Sequence, residues 1–303
     1  STFNVFTNAP KTFRELYDTV TLLMGDFPFV NENGNQLNFL EIIQKSKNLA
    51  NYLSSKGITK DDSVGICMQN CTEWIIAYIG ITAHGAKCVP FNSWWTKDEL
   101  SYGIPHSEVK LVFTDNKRFE IIKDFKVDIV LNGKFFNETI EQHYDAWPAE
   151  NASEEDYAVL LYTSGSTGMP KGVMLSHLSL INALLGFVSY GEIFKKITGD
   201  NLLEAENASV IVNVPLFHVT GLVTQFLLSM LAKRNLFLIH KWDPLEALKL
   251  IDKFKVTNIS GVPTQSWELL NHPDVDKYDL SSLIDIGAGG AARPKGQVES
   301  LMK

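Results

Sequence analysis

The chain has 303 residues, 45 % of them hydrophobic and 20 % charged, values that exclude wholesale disorder and collagen-like structure. Its 27 Lys and Arg against 35 Asp and Glu leave a net charge of −8, which argues against nucleic-acid binding, as does the lack of a basic stripe. At roughly 100–200 residues per domain, the length accommodates one large domain or two modest ones.

In chain order, Phe39, Leu40, Ile42, Ile43, Leu49, Ala50 and Leu53 recur at helical spacing, with Gly57 as a C-cap. A buried strand is read at 64–68, a helix at 73–83 and a strand at 86–89 closed by Pro90. Thr96 and Glu99 form a capping-box pattern that opens a helix, and strands follow at 109–114 and 128–131. Residues 143–156 are polar and read as a loop, 157–162 as a strand and 176–190 as a helix. The mixed polar segment 191–207 is the best internal boundary. Beyond it come a strand at 208–214, a helix at 220–232 and a strand at 235–239. Asp243-Pro244 starts a further helix, followed by a strand at 256–260, a helix at 264–271 and a strand at 283–286. This rhythm predicts an α/β protein with two mainly parallel sheets flanked by helices, split near residue 200, and no internal sequence repeat.

Cys67, Cys71 and Cys88 are an odd number in apolar segments, which predicts buried structural thiols and a reducing, cytoplasmic setting. The CxxxC spacing of Cys67 and Cys71 lacks the second pair or His cluster that a metal site needs. The start, Ser1 to Phe6, shows no long apolar region of a secretory signal. Residues 214–232 are membrane-like, but Pro215, His218, Gly221 and Gln225 within them favour a strand and a buried helix, so no integral membrane segment is expected.

The chemistry is concentrated in residues 162–173, Tyr-Thr-Ser-Gly-Ser-Thr-Gly-Met-Pro-Lys-Gly-Val, placed after a strand and before a helix. Glycines permit a tight turn with amide N–H groups pointing inward, a concavity suited to anions. Thr163, Ser164, Ser166 and Thr167 add hydroxyl donors, and Lys171 adds a full positive charge. The pattern is not a Walker A loop, because Pro170 precedes Lys171 and Gly172 follows it. A flexible Ser/Gly linker would need neither a lysine at a set offset nor apolar strands on both sides. The physical reading is a cradle for a polyphosphate.

This loop resembles the phosphate-binding signature of the adenylate-forming (AMP-binding) enzymes: acyl-CoA synthetases, luciferases and nonribosomal adenylation domains. Three other segments are similar to motifs of that family: Pro-Leu-Phe-His-Val-Thr-Gly at 215–221, Ile-Gly-Ala-Gly-Gly-Ala-Ala at 286–292, and Gly-Ala-Lys-Cys-Val-Pro-Phe-Asn at 85–92. The runs at 90–96 and 277–283 look most like fatty-acyl and other acyl-CoA synthetases. The resemblance implies that Thr163, Ser164, Gly165, Ser166, Thr167, Gly168 and Lys171 surround the phosphates of ATP, with the Thr163 hydroxyl near Mg²⁺. It places His218 near the carboxylate to be activated; alone, His218 would read as an ordinary core histidine. It further implies that Gly290, Ala291 and Ala292 line the adenine, and that Val262, Pro263, Thr264, Gly287, Ala288 and Gly289 wall the acyl pocket. Ala292 stands where the family usually has proline, and Arg293 where an apolar residue is common. Trp94 and Trp95 are read as packing residues.

The resemblance also implies a division into residues 55–190, with the first sheet and phosphate loop, and residues 1–54 plus 200–303, with the second sheet and the acyl and adenine side. The family's later motifs are not found before Lys303: a Tyr-Gly-x-Thr-Glu element, a ribose-binding Asp, a hinge, and a C-terminal lobe with a catalytic Lys. The chain is therefore expected to be the front part of a longer enzyme, impaired alone. The implied reaction is activation of a carboxylic, fatty acid by ATP to an acyl-adenylate, then thioester formation with coenzyme A, releasing pyrophosphate and AMP. Two alternatives stay open: a different acceptor, such as a carrier protein or oxygen, and a nucleotide-binding protein without turnover.

Overall fold

Two six-stranded sheets organise the chain in the computed structural model, which describes residues 5–163, 168–199, 207–289, 291 and 292. In chain order the strands are β1 (Pro28–Glu32), β2 (Asn35–Asn38), β3 (Ser63–Cys67), β4 (Lys87–Pro90), β5 (Val109–Thr114), β6 (Asp128–Leu131), β7 (Tyr157–Thr163), β8 (Lys171–Ser176), β9 (Ser209–Val212), β10 (Asn235–Leu238), β11 (Asn258–Gly261) and β12 (Asp285–Ala288). The helices are α1 (Phe13–Met24), α2 (Phe39–Ser55), α3 (Thr72–His84), α4 (Lys97–His106), α5 (Asn116–Ile122), α6 (Lys134–Ile140), α7 (His177–Thr198), a π-helical segment (Thr220–Leu227) continued by α8 (Leu228–Leu231), α9 (Pro244–Phe254) and α10 (Pro263–Leu270).

The first sheet has the order β6-β5-β3-β4-β7-β8, parallel from β6 to β7, with β8 antiparallel on the edge. The second has the order β12-β11-β9-β10-β1-β2 and is parallel from β12 to β1. The predicted α/β class with two mainly parallel sheets is what the chain adopts. Strand order repeats between the sheets, β6-β5-β3-β4 against β12-β11-β9-β10, although the sequence shows no repeat.

Local chemistry explains most of the elements. Asn38 and Glu41 form the capping box of α2, Thr96 and Glu99 that of α4, and Asp243 caps α9 ahead of Pro244. The β1–β2 connection is Asn33-Gly34, with φ of 53° and 84°, the two positive angles that a tight hairpin turn of this hand requires. β1, β2, β8, α1, α5 and α6 were not among the predicted elements. Residues 191–207 do not open as a linker throughout, since α7 runs on to Thr198.

The chain divides into two compact units, Ser1–Phe27 with Leu37–Gly186, and Pro28–Gln36 with Phe187–Lys303. The sequence reading groups 1–54 with the second sheet; here residues 1–27 and 37–54 pack in the first unit and only 28–36 join the second. The reason is α3, which is buried on all sides and needs cover from α1 and α2. Tyr17 and Thr82 share a buried 2.8 Å hydrogen bond. A Cβ at Gly80 would lie 2.7 Å from Leu49 Cδ2, so α2 and α3 approach closely there. On the other face of the sheet, Val89, Phe91, Trp95, Leu100, Ile104, Val112 and Leu160 form one core cluster. In the second unit, Ile211, Phe237, Leu248, Ile251, Ile259 and Leu269 do the same.

Cys67, Cys71 and Cys88 are free and buried, as expected, and desolvation pushes the Cys67 thiol up to about 12. Residues 214–232 end in an apolar helix of only 12 residues, Thr220–Leu231. Among the described residues α7 is the one helix long and apolar enough, by length and composition, to cross a membrane. Its first half packs as a core helix, with His177, Leu180, Ile181 and Leu184 buried.

His84 and His177 are fully buried in the first unit. His84 Nε2 lies 3.1 Å from Ser54 Oγ, and His177 Nδ1 accepts from the Phe13 N–H at 3.1 Å. Desolvation lowers both imidazoles to about 4. The unfolded chain takes up these protons near pH 6.5, the folded chain only near 4. Stability is therefore complete above pH 6.5 and falls as pH drops, by roughly 1.4 kcal/mol per pH unit for each histidine. Urea unfolding between about pH 7 and about pH 5 should show this loss, and His84→Gln should make it shallower. An unchanged pH slope in that variant would contradict the assignment.

Candidate active site

The described ends of the expected phosphate loop lie on paired strands. Thr163 ends β7, Lys171 begins β8, and the two are cross-strand partners, with Thr163 Oγ1 3.4 Å from the Lys171 carbonyl. The helix expected directly after the loop is preceded by β8, because pairing there satisfies the backbone edge of β7. Ser164, Gly165, Ser166 and Thr167 lie outside the described residues. Gly168 has φ of 134°, a conformation that favours glycine. Thr163 and Lys171 are both exposed, and Lys171 makes no ion pair among the described residues. An exposed cation and an exposed hydroxyl thus stand at the two ends of the Ser/Gly segment.

The base of the hairpin is clamped. Tyr162 Oη donates to the Gly103 carbonyl at 3.1 Å and lies 2.8 Å from His106 Nδ1, both on α4. Its ring packs edge-on against Trp95 at 5.1 Å and stacks on Phe91 at 6.2 Å. Burial pushes the Tyr162 phenol up to about 12, so it stays a neutral donor at physiological pH. Trp95 is a packing residue, as read from the sequence; Trp94 is exposed.

In the second unit the other predicted residues gather at one sheet edge. β9 leads into Pro215 and exposed His218, whose N–H donates to the Pro215 carbonyl at 3.0 Å. His218 Nδ1 accepts from the Thr220 N–H at 3.3 Å, which leaves Nε2 as the ring N–H donor. Val262 and Thr264 are exposed at the start of α10, after β11, with buried Pro263 between them. Gly287 and Ala288 end β12 opposite Ser260 and Gly261, and the Gly289 N–H donates to the Gly261 carbonyl at 2.8 Å. His218, Val262, Pro263, Thr264, Gly287, Ala288 and Gly289 therefore cluster at the carboxyl ends of three adjacent strands, where open α/β sheets bind ligands. Gly290 lies outside the described residues, and Ala291 and Ala292 are exposed in irregular chain beyond β12.

Among the described residues no group of three or more His, Cys, Asp or Glu side chains is arranged to hold a metal ion. The donor set at the hairpin, one exposed hydroxyl beside a lysine, suits an ion carried in by phosphate oxygens rather than one caged by protein.

The sequence reading missed the polar side chains behind this edge: Asn213, Gln225, Ser260 and Gln265. A glutamine in the middle of the apolar run 214–232 was the available signal, since a buried amide requires partners.

Residues 18–303 match the family model described as AMP-binding enzyme. The chain is 30 % identical to the long-chain-fatty-acid–CoA ligase of Bacillus subtilis, over 94 % of this chain and 56 % of that protein. It is 27 % identical to 4-coumarate–CoA ligase 1 of Petroselinum crispum, over 85 % of this chain and 48 % of that protein. The inhibitor-bound N-terminal domain of FACL13 from Mycobacterium tuberculosis shares the fold, with TM-score 0.87 at 21 % identity, over 97 % of this chain and 73 % of that one. The chain belongs to the AMP-binding enzyme family, and these curated relatives are acyl-CoA ligases. It spans about half the length of the curated relatives it matches.

Gly221 is the tightest point of the His218 turn: a Cβ there would overlap the Pro215 carbonyl oxygen. Gly221→Ala should destabilise the protein by about 1–3 kcal/mol in denaturant unfolding. Wild-type stability in that variant would mean the turn is looser than described.

Proposed function

We propose that the protein activates a carboxylic acid of the fatty class with ATP, forming an acyl-adenylate, and transfers the acyl group to coenzyme A with release of pyrophosphate and AMP. The observation that carries this reading is the hairpin presenting Thr163 and Lys171 at the two ends of the Ser/Gly loop, in a chain of the AMP-binding family. The fatty-acid relative at 30 % identity supports the acid class, and the 4-coumarate relatives make aromatic acids the comparison to test.

The acid is already a carboxylate at neutral pH, with an ordinary pKa of roughly 4 to 4.5, so its attack on the α-phosphorus needs no general base. The demand is electrostatic, because two anions must meet and charge must be stabilised on the departing pyrophosphate. In this reading Lys171 and the loop from Thr163 to Gly168 bind the phosphate chain. Mg²⁺ bound with ATP supplies further charge neutralisation, and Thr163 is the residue that would touch it. His218, exposed, donates through Nε2–H to the carboxylate or the developing adenylate. Val262, Pro263, Thr264 and Gly287, Ala288, Gly289 bound the acyl group, and Gly290, Ala291 and Ala292 face the adenine. Three free buried cysteines suit a cytoplasmic setting.

Acid-dependent ATP–pyrophosphate exchange, run on the complete gene product with acids from acetate to long-chain fatty acids and aromatic acids, tests the reading. Exchange with fatty acids is expected, with a fall of about 100-fold or more in Lys171→Ala. The 303-residue chain alone should exchange far less. Full exchange in Lys171→Ala, or none with any acid, would contradict the proposal.

A further inference from the structure

In the second sheet the chain runs from β9 out to β10 on one side, then crosses to β11 and β12 on the other. Strand order therefore reverses between β9 and β11, the place where connections diverge and open a crevice. Here the crevice floor is a closed set of neutral amides. Gln225, on the π-helical segment seven residues after His218, is fully buried, and Asn213, directly after β9, is nearly so. Gln225 Nε2 donates to Asn213 Oδ1 at 2.8 Å and to the Ser260 carbonyl at 2.5 Å. Gln225 Oε1 accepts from the Val214 N–H at 3.3 Å. Asn213 Nδ2 donates to Gln265 Oε1 at 3.0 Å, and Gln265 Nε2 returns a bond to the Asn213 carbonyl at 3.1 Å. Gln265 Oε1 also accepts from the Val262 N–H at 3.1 Å.

The orientation of each amide is fixed by groups that have no choice. Backbone N–H groups of Val214 and Val262 only donate, so they face the Oε1 atoms of Gln225 and Gln265. The carbonyls of Ser260 and Asn213 only accept, so they face the Nε2 atoms. Asn213 then has one arrangement that satisfies both glutamines. Gly261 completes the packing, since a Cβ there would lie 2.6 Å from Asn213 Nδ2 and overlap Gln265 Oε1. Two of these bonds end on segments of the site, Val214 leading into the Pro215–His218 turn and Val262 opening the 262–264 segment, while Gly261, packed against the amides, accepts from the Gly289 N–H.

We propose that Asn213, Gln225 and Gln265 are positioning residues that set the affinity for the carboxylic acid, by locking the His218 turn to the 262–264 and 287–289 segments. This rests on the functional reading above, which gives those segments to the acid. Among the described residues its bonds end on neither Ala291 nor Ala292, the positions given to the adenine, so its loss falls first on the acid.

The test is steady-state exchange with the complete gene product, measuring KM for the acid and for ATP separately, beside a melting curve. Gln225→Met keeps the volume and strands the Val214 N–H, the Ser260 carbonyl and Asn213 Oδ1. Gln265→Met, at a partly exposed position, is the milder variant and decides the matter if Gln225→Met does not fold. The expected result is a rise of about 10- to 100-fold in KM for the acid, with KM for ATP within about twofold. Gln265→Asn, which retains an amide, should recover part of the loss. Folded variants with an unchanged acid KM, or with both KM values rising together, would overturn the proposal. Absence of acid-dependent exchange in the wild-type protein would instead overturn the functional reading, and this inference with it.

Discussion

Parallel strands can be joined only by crossovers, and this constraint governs where the chemistry of the chain sits. Every strand-to-helix turn of a parallel sheet emerges at the same edge, so residues far apart in sequence meet there. His218, Thr264 and Gly289 become neighbours at the edge of β9, β11 and β12 for this reason alone. The reversal of strand order then opens a gap between two of those turns, and its filling decides what the edge can do.

Both sheets have the reversal, and they fill it differently. At the β3/β5 reversal, Asp115 accepts from the Gln69 N–H at 3.0 Å and pairs with Arg118 Nη1 at 2.9 Å, and Arg118 Nε donates to the Ser93 carbonyl at 2.9 Å. That buried ion pair plugs the gap with charge. At the β9/β11 reversal the filling is neutral amide, which does not titrate and leaves the edge beside it free of a competing charge. On the β7–β8 hairpin, held at its base by Tyr162, Lys171 is paired with no carboxylate among the described residues.

Much of this was legible in the sequence because local rules and tertiary demands agree. The capping boxes of α2 and α4, the Asp-Pro start of α9 and the apolar strands 64–68 and 109–114 announce themselves through spacing. The loop at 162–173 stood out because glycine, hydroxyl and lysine at set offsets have few other uses. β8 was not, since Lys-Gly-Val-Met-Leu-Ser is short, lies on an edge and shows no buried face to impose alternation. The Asn33-Gly34 hairpin carried a clear turn signal, but its strands are too short to stand out. Gln225 in an apolar run signalled a buried amide, but its partners were not legible, because only the fold brings Asn213, Ser260 and Gln265 together with it.

The central claim is that the acid's own oxygen attacks the α-phosphorus. The most direct measurement uses the acid labelled with ¹⁸O in its carboxylate, turned over with ATP and coenzyme A by the complete gene product, with mass analysis of the products. Adenylation places the bridging carboxylate oxygen in AMP, so one labelled oxygen per AMP is the predicted result. Label in inorganic phosphate or pyrophosphate, or an AMP that carries none, would contradict the account.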